Sequence, residues 1–455
     1  ASTKFVRLVG SQQLVCAPPA AKATMGAPRG LAWILFANLA IAIDYSMIMP
    51  TGWQYVDSLG GSKFFYGATI AAFPIGRIVF MMPIGAWSDK RGFFAPFRTA
   101  NAIGLLGGLV YGLASALGSK WFAMLGRFLG GCGATLPLSA WAARSFPPEK
   151  RVQIESLQKA AQLVGVALGP ALNALFFKLD LQLGFLQLNP LTCAGYFPAF
   201  MSLLMLVGFM LGVEEPPAAE APLVSGGRQE PLRRLSTSGA WCLVFNAFHA
   251  NVQLAAIDTI LAPLAAQHLG WNLLQNSALF AVLAGVSFVG AIVGIVAHKR
   301  GVKALLIVKL GLLLNIVSST LVSASLWRAP AIVDMTFVMS AAIFGTWAML
   351  LYTGANGGLY QQALGNSQGF LGALYTMAFA GGRPVGAFLG GSLLDKNPLP
   401  SCLCLPALVT AALVLQFIFA RRLQSAEDAA IAAHEQGRSA SLASDAGASG
   451  ELCKA

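Results

Sequence analysis

Long apolar stretches recur along the whole of this chain, and they constrain its fold more than any other feature. Twelve can be delimited by charged residues, Pro or Gly; they span approximately residues 31–56, 64–87, 97–118, 121–143, 154–177, 194–213, 240–267, 273–297, 304–326, 331–354, 367–391 and 403–420. A helix of about 20 apolar residues crosses the hydrocarbon core of a bilayer. Only 11% of the residues are charged, against about 25% in soluble domains. The sequence therefore predicts an all-α membrane protein with twelve transmembrane helices.

A polar stretch divides the twelve apolar segments into two sets of six. It contains Glu214, Glu215, three arginines and four prolines, and it separates the sixth segment from the seventh. The predicted organisation is an N-terminal tail (1–30), a first six-helix half (31–213), a linker (214–239), a second six-helix half (240–421) and a disordered tail (422–455).

The basic residues predict the orientation of the chain in the membrane. If the linker and both termini are cytoplasmic, 22 of the 30 Lys and Arg residues lie on the cytoplasmic side, five lie on the opposite side, and three lie within apolar stretches. This asymmetry follows the positive-inside rule. Topology thus explains the net charge of +12, and we expect a lipid bilayer rather than nucleic acid as a partner.

Two short motifs recur at a separation of about 210 residues. The sequence Ala42-Ile43-Asp44 in the first apolar stretch is repeated as Ala256-Ile257-Asp258 in the seventh. The segment Gly85–Gly92 after the second stretch is echoed by Gly294–Gly301 after the eighth. A duplicated six-helix unit is typical of transporters whose substrate site lies between the repeats.

The second motif resembles the signature of the major facilitator superfamily. The residues that fit are Gly85, Asp89, Lys90 and Gly92, whereas Phe93 and Phe94 stand where further basic residues are usual. The superfamily's fourth-span pattern fits Arg127, Gly131, Gly133, Ala134 and Thr135, and its fifth-span pattern fits Gly165, Gly169 and Pro170, although Asn173-Ala174 replaces the usual glycines. The resemblance covers roughly residues 31–421. It implies a monomeric secondary transporter that works by alternating access, and not an enzyme.

A second resemblance concerns one branch of that superfamily. It rests on Asp44-Tyr45, Pro50, Trp53, Tyr55, Asp258-Thr259, Pro263 and Arg383. These residues resemble the branch that contains the lysosomal/vacuolar facilitators linked to neuronal ceroid lipofuscinosis and the vacuolar phosphate-type transporters. Arg77 departs from the pattern, because relatives often carry Gln there. The resemblance implies that an anion or small metabolite crosses a lysosomal, vacuolar or other endomembrane rather than the plasma membrane.

Five ionisable residues lie near the middle of predicted spans: Asp44, Arg77, Arg127, Asp258 and Arg383. A charged side chain at mid-bilayer costs at least about 2.5–3.5 kcal/mol, so we expect these five in a central cavity. Guanidinium groups suit bidentate recognition of carboxylate or phosphate. We predict that the arginines bind a small anionic solute and that the two aspartates carry protons. The alternative is that the five charges pair with one another and only lock the bundle.

The segment Gly85–Gly92, including Lys90 and Arg91, is a candidate gating element. The resemblance implies that Asp89 reaches the neighbouring half and caps a helix N-terminus, where a carboxylate is favoured. Its repeat mate is His298, which offers no fixed negative charge, so we expect the latch on one side only. A solvated basic loop is the alternative.

Helix-breaking residues provide two further candidates. Gly165 and Gly169 lie one turn apart beside Pro170, an arrangement that favours close helix approach and a kink. Generic packing explains these glycines equally well. The patch Gly381–Pro384 sets Arg383 beside weakened helix backbone and is predicted to face the ligand. His249 is either a proton relay or a packing histidine.

No cofactor or metal is predicted. The chain has no Walker loop for ATP, and Cys402-Leu403-Cys404 has the wrong spacing for a CxxC site. Two other functions remain open from the sequence. One is an anion channel on the same fold, and the other is a transport-dead receptor or scaffold.

Overall fold

The structure is a computed structural model that describes residues 30–136, 138–146, 148–184, 186–213, 235, 239–327, 335–364, 368–394, 399–429 and 432. Its first eight helices are α1 Leu31–Met47, α2 Gly52–Ser58, α3 Lys63–Arg91, α4 Phe94–Leu113, α5 Lys120–Gly133, α6 Leu138–Ser145, α7 Pro148–Leu175 and α8 Pro190–Gly212. The following helices are α9 Trp241–His268, α10 Leu273–Lys299, α11 Ala304–Trp327, α12 Met335–Leu364, α13 Gln368–Leu393, α14 Leu399–Ile418 and α15 Ala420–Ala429. The predicted all-helical fold is thus observed, and each predicted apolar stretch contains helix.

The structure differs from the prediction in three places. A short antiparallel hairpin, β1 Leu181–Leu183 with β2 Leu186–Leu188, lies between α7 and α8. Two of the twelve stretches are broken into two helices each, namely α1 with α2 and α5 with α6. Residues 422–429, which the sequence assigns to the disordered tail, are helical in α15. In the part of the chain that the structure describes, five helices are long and apolar enough to cross a membrane, or up to seven if each bent pair is one span.

The break after α1 has a local cause. α2 is bent by 52° relative to α1, and Pro50 lies in the turn between them. Proline removes a backbone donor and clashes with the preceding turn of a helix. The Asn173 side chain on α7 donates hydrogen bonds to the Met47 carbonyl at 2.6 Å and to Thr51 Oγ1 at 3.0 Å. A backbone carbonyl at the buried end of α1 therefore receives its hydrogen bond from a polar side chain of a neighbouring helix.

Helix packing repeats between the first and second sets of helices. α1 packs on α7 and α8, and α9 packs in the same way on α13 and α14. α4 packs on α5 and α8, as α11 packs on α12 and α14; α3 packs on α5, as α10 packs on α12. The two sets are joined by α3 against α13 and α7 against α10. In this comparison α3 corresponds to α10, and α7 corresponds to α13. Replacing each helix by its counterpart turns the first contact into the second, as expected for two sets of helices related by approximate two-fold symmetry.

Glycines set the closest helix approaches. Gly382, Gly386 and Gly390 recur every fourth residue on α13, and the backbone of α9 packs directly over them. On the joining contact, a Cβ at Gly67 of α3 would lie 2.7 Å from the Ala387 carbonyl and 3.0 Å from Gly391 Cα. Residues with a side chain cannot keep these helices at their present separation.

The buried apolar residues form a joined core at one end of the bundle. This core includes Met47 of α1, Tyr66 of α3, Ile260 of α9 and Ala387 of α13, so both sets of helices contribute. At the opposite end the apolar residues fall into two separate clusters. One is made by the first set and contains Ile34, Phe97 and Phe209; the other is made by the second set and contains Leu243, Leu312 and Tyr352. The two sets of helices therefore divide towards the end that holds the start of α1 and of α9.

Candidate functional site

Asp44 and Arg127 form an ion pair between α1 and α5. Arg127 Nη1 lies 3.3 Å from Asp44 Oδ1 and donates a hydrogen bond to the Asp44 carbonyl oxygen at 3.1 Å. The Arg127 side chain is 3% exposed and that of Asp44 is 22% exposed. Asp44 is three residues before the end of α1, and Gly130 of α5 faces its carboxylate, while Gly131 and Gly133 of the same helix pack on α3 and α4. The ion pair thus lies next to the end of α1, where the first predicted span is interrupted.

Asp258 and Arg383 form the second charged cluster, between α9 and α13. The Tyr45 hydroxyl donates to Asp258 Oδ2 at 3.3 Å. Arg383 Nε donates to Asn251 Oδ1 at 3.1 Å, and the guanidinium carbon lies 4.1 Å from the centre of the Tyr45 ring. Arg383 and the buried Asp258 carboxylate thus have Tyr45 as a common neighbour. A side chain of α1 therefore touches both charged residues of the second set.

An aromatic layer connects the two clusters. The Arg127 guanidinium lies 4.4 Å from the centre of the Phe73 ring. The Phe73 ring is 5.7 Å from that of Tyr45, which in turn lies under Arg383. Each arginine is thus placed over the face of an aromatic ring, where the negative face of the π system attracts the cation.

Arg77 lies on α3, one turn after Phe73, the residue whose ring lies under the Arg127 guanidinium. The structure thus brings Asp44, Arg127, Asp258 and Arg383 into one region, and Arg77 lies on the next turn of α3.

Several arginine donors in this region have no partner. Arg127 Nε and Nη2 and Arg383 Nη1 are buried and make no hydrogen bond in the described structure. Buried polar groups are nearly always hydrogen-bonded, because leaving one unpaired costs about 1–3 kcal/mol. The site therefore presents N–H groups that an added acceptor would satisfy.

The charged region lies at the level where the two sets of helices begin to separate. Tyr45 packs both on the joined core and on the separate core of the first set of helices. The site is consequently bounded on one side by the joined apolar core and lies at the level where the two sets divide.

The predicted gating residues lie apart from this region. Gly85, Asp89, Lys90 and Arg91 belong to the last two turns of α3, and Gly92 ends the helix at φ 85°. The side chains of Asp89 and Lys90 lie outside the described part, so the latch stays a prediction. Gly169 packs on Ser46 and Met47 of α1, and Pro170 lies inside a continuous α7. Gly169 therefore serves helix contact at the broken span, and a gating role for these two residues stays a prediction.

Two other candidates have observed environments. The patch Gly381–Pro384 lies within the continuous helix α13, where Gly382 permits contact with the Phe248 carbonyl while Arg383 reaches the site. The His249 ring stacks on Tyr352, with Nε2 3.3 Å from the hydroxyl, inside the second set. This environment fits a packing histidine.

Sequence reasoning gave no role at the site to three contributors around the arginines: Tyr45, Phe73 and Asn251. Tyr45 was noted for its resemblance alone. Its position next to Asp44 in the middle of a span, away from the interface where Tyr is common, was the signal that could have found it.

Comparison with known proteins supports a transporter. The family model described as Major Facilitator Superfamily matches residues 34–373. An SPX domain-containing membrane protein of Oryza sativa subsp. indica is 29% identical over 225 residues, covering 47% of this chain and 32% of that protein. One from Arabidopsis thaliana is 28% identical over 210 residues, covering 45% and 29%. The chain spans about a third of the length of these relatives, which are consistent with the predicted vacuolar phosphate-type branch.

Solved structures share the fold. A bacterial homologue of the human lysosomal transporter Spinster, inward-facing and unoccupied, has a TM-score of 0.63 at 15% identity and covers 88% of this chain and 96% of its own. A D-xylose–proton symporter has a TM-score of 0.66 at 17% identity, covering 86% and 97%. A POT family transporter in complex with 5-aminolevulinic acid has a TM-score of 0.66 at 14% identity, covering 89% and 98%. These likenesses show that the chain shares the fold of these proteins.

Proposed function

The chain belongs to the major facilitator superfamily, and we propose that it moves a small anionic solute across a membrane by alternating access. The observation that carries this proposal is the charge balance of the central region. Arg127 lies against Asp44, Arg383 and Asp258 both contact Tyr45, and Arg77 adds a third positive charge on α3; three guanidinium nitrogens of Arg127 and Arg383 are buried without an acceptor. An anion would supply both the missing charge and the missing acceptors, and arginine is the side chain best suited to bind it in a bidentate manner.

The five charges do not simply neutralise one another in this arrangement. Asp44 is bound to a single nitrogen of Arg127, which leaves the other two nitrogens of that group unpaired. Asp258 receives its hydrogen bond from a tyrosine and not from an arginine. A lock formed only for stability would be expected to pair these groups completely, because unpaired buried charge is costly.

Proton coupling is the second part of the proposal. Asp44 and Asp258 occupy corresponding positions in the repeated motif, one in each set of helices, and each lies beside an arginine. An anion that arrives at an arginine competes with the neighbouring carboxylate, and protonation of that carboxylate relieves the repulsion between them. The entry of an anion and the uptake of a proton would therefore favour each other.

The proposed architecture has two halves, residues 31–213 and 240–421, with twelve spans and cytoplasmic termini. The repeated helix packing supports the two halves. The positive-inside rule places the divided end of the bundle in the cytoplasm, so the described state would be inward-facing. We place this monomeric transporter in a lysosomal, vacuolar or related endomembrane, on the basis of the branch resemblance.

Uptake into proteoliposomes tests this function. Purified protein would be offered labelled phosphate, sulfate and small carboxylates, with and without an imposed pH gradient. We expect saturable uptake of at least one anion, stimulated by the gradient. Arg383→Gln and Asp258→Asn should abolish it, whereas Arg98→Gln, which alters an exposed arginine at the start of α4, should not. Non-saturating current would instead indicate a channel, and the absence of uptake for every anion would favour a receptor or scaffold.

A further inference from the structure

We propose that Tyr45 is a positioning residue of the central site, which orients Arg383 through its ring and holds Asp258 through its hydroxyl. The inference rests on the proposed anion transport and deepens it. It also makes Tyr45 the residue through which anion binding at the site changes the contact between the two halves of the protein.

The first step concerns the Arg383 guanidinium. Its carbon lies over the Tyr45 ring, 4.1 Å from the ring centre. Nε donates a hydrogen bond to Asn251 Oδ1 at 3.1 Å. The ring and the amide oxygen thus hold the group at two separate points. The buried Nη1, which has no partner, is then presented in a defined direction.

The second step concerns Asp258. The Tyr45 hydroxyl donates a hydrogen bond to Oδ2 of this carboxylate at 3.3 Å. A donor stabilises the ionised carboxylate more than the protonated acid. The hydroxyl therefore helps to hold Asp258 as the ionised carboxylate, whereas the ring positions Arg383. A single side chain divides these two tasks between its two parts.

The third step concerns the location of Tyr45. It belongs to α1, whereas Asp258 and Arg383 belong to α9 and α13 of the other set of helices. Tyr45 packs on both the joined core and the separate core of the first set. Its contacts with Asp258 and Arg383 therefore connect the two halves at the level where they begin to separate. An anion that draws Arg383 away from the Tyr45 ring would weaken this contact between the halves. Anion binding would then be coupled to the movement of one half relative to the other.

The two parts of the side chain can be tested separately. Tyr45→Phe keeps the ring and removes the hydroxyl, whereas Tyr45→Leu removes both. We expect Tyr45→Phe to keep the KM for the transported anion within about twofold and to change the dependence of uptake on the pH gradient. Tyr45→Leu should raise KM by about 5- to 30-fold, the loss expected for a desolvated cation–π contact. Tyr196→Phe is the matched control, because its buried hydroxyl makes no hydrogen bond in the described structure.

A thermal double-mutant cycle provides a readout that does not require transport. Apparent melting temperatures would be measured in detergent for Tyr45→Phe, Asp258→Asn and the double variant. We expect non-additive shifts, because the two residues share one hydrogen bond. Additive shifts, or an equal KM for Tyr45→Leu and wild type, would overturn the positioning role. If no anion is transported but the shifts are non-additive, the proposed function fails while the Tyr45–Asp258 contact is retained.

Discussion

The carboxylate of Glu427 accepts a hydrogen bond from the backbone N–H of Ala304 at 2.6 Å, so α15 caps the first turn of α11. Glu427 is fully buried, and its second oxygen lies 3.5 Å from the N–H of Leu305. The first N–H groups of a helix have no partner within the helix, and a negative charge is favoured there. Leu423 of α15 is buried in the same cluster as Ala304 and Leu305. The segment after α14 is thus part of the folded bundle.

Removing this cap should destabilise the protein. We expect Glu427→Ala to lower the free energy of unfolding by about 1–3 kcal/mol, because it leaves buried N–H groups unpaired. Asp428→Asn is the control, since its ion pair with Lys303 at 3.0 Å is about half exposed, and such pairs contribute about 0–1 kcal/mol. Apparent melting temperatures in detergent measure both effects. Equal shifts for the two variants would contradict the capping role.

The Asp44–Arg127 pair should respond differently to single and double substitution. Removing one member of a buried pair leaves an uncompensated charge and costs about 3–5 kcal/mol. We therefore expect Asp44→Asn and Arg127→Gln each to lower the melting temperature, and the double variant to recover much of that loss. Uptake should be abolished in all three variants. A double variant that transports normally would show that the pair is structural alone.

The close contact between Gly67 of α3 and Gly391 of α13 should control whether the two sets of helices stay packed together at the joined end. Cysteines introduced at Phe64 and Phe388, whose rings are 6.0 Å apart, should cross-link readily in a background without other cysteines. We expect Gly67→Ala to reduce the yield severalfold, because the added methyl would lie 2.7 Å from the Ala387 carbonyl. Gly354→Ala should have no effect, since a Cβ there meets no atom within 4 Å. An unchanged yield in Gly67→Ala would rule out the crossing as a steric constraint.

The break in the first span should depend on Asn173. Asn173→Ala removes the hydrogen bonds to Met47 and Thr51, so we expect a loss of about 1–3 kcal/mol in stability. Leu175→Ala, which alters a residue that is 76% exposed on the same helix, should change stability much less. Thermal unfolding would distinguish them, and similar results for both would argue against the bridging role.

The helical architecture was predictable because it depends on local properties. Apolar runs of membrane-spanning length identify helices without knowledge of their partners, and the motif shared by Asp44 and Asp258 anticipates the observed repetition of helix packing. The five mid-span charges were also identifiable, because the cost of burying them makes each one conspicuous.

Contacts between side chains on different helices were not predictable in the same way. Asp44 and Arg127 are 83 residues apart, and their pairing depends on how α1 crosses α5. Tyr45 resembles any other aromatic residue until the helix packing places it beside Arg383. The Ala/Ser-rich composition after residue 421 suggested disorder, because one buried leucine and one buried glutamate are a weak signal in composition.

The division of the apolar core has a genetic consequence. In alternating access, the joined interface must part while an interface forms at the opposite end, so the balance between states is a difference between two packing energies. A substitution that weakens the joined end and one that weakens contacts formed at the other end should shift this balance in opposite directions. Defects at Gly67 should therefore be rescued by second-site suppressors at the far end of the bundle, with no direct contact between the two positions.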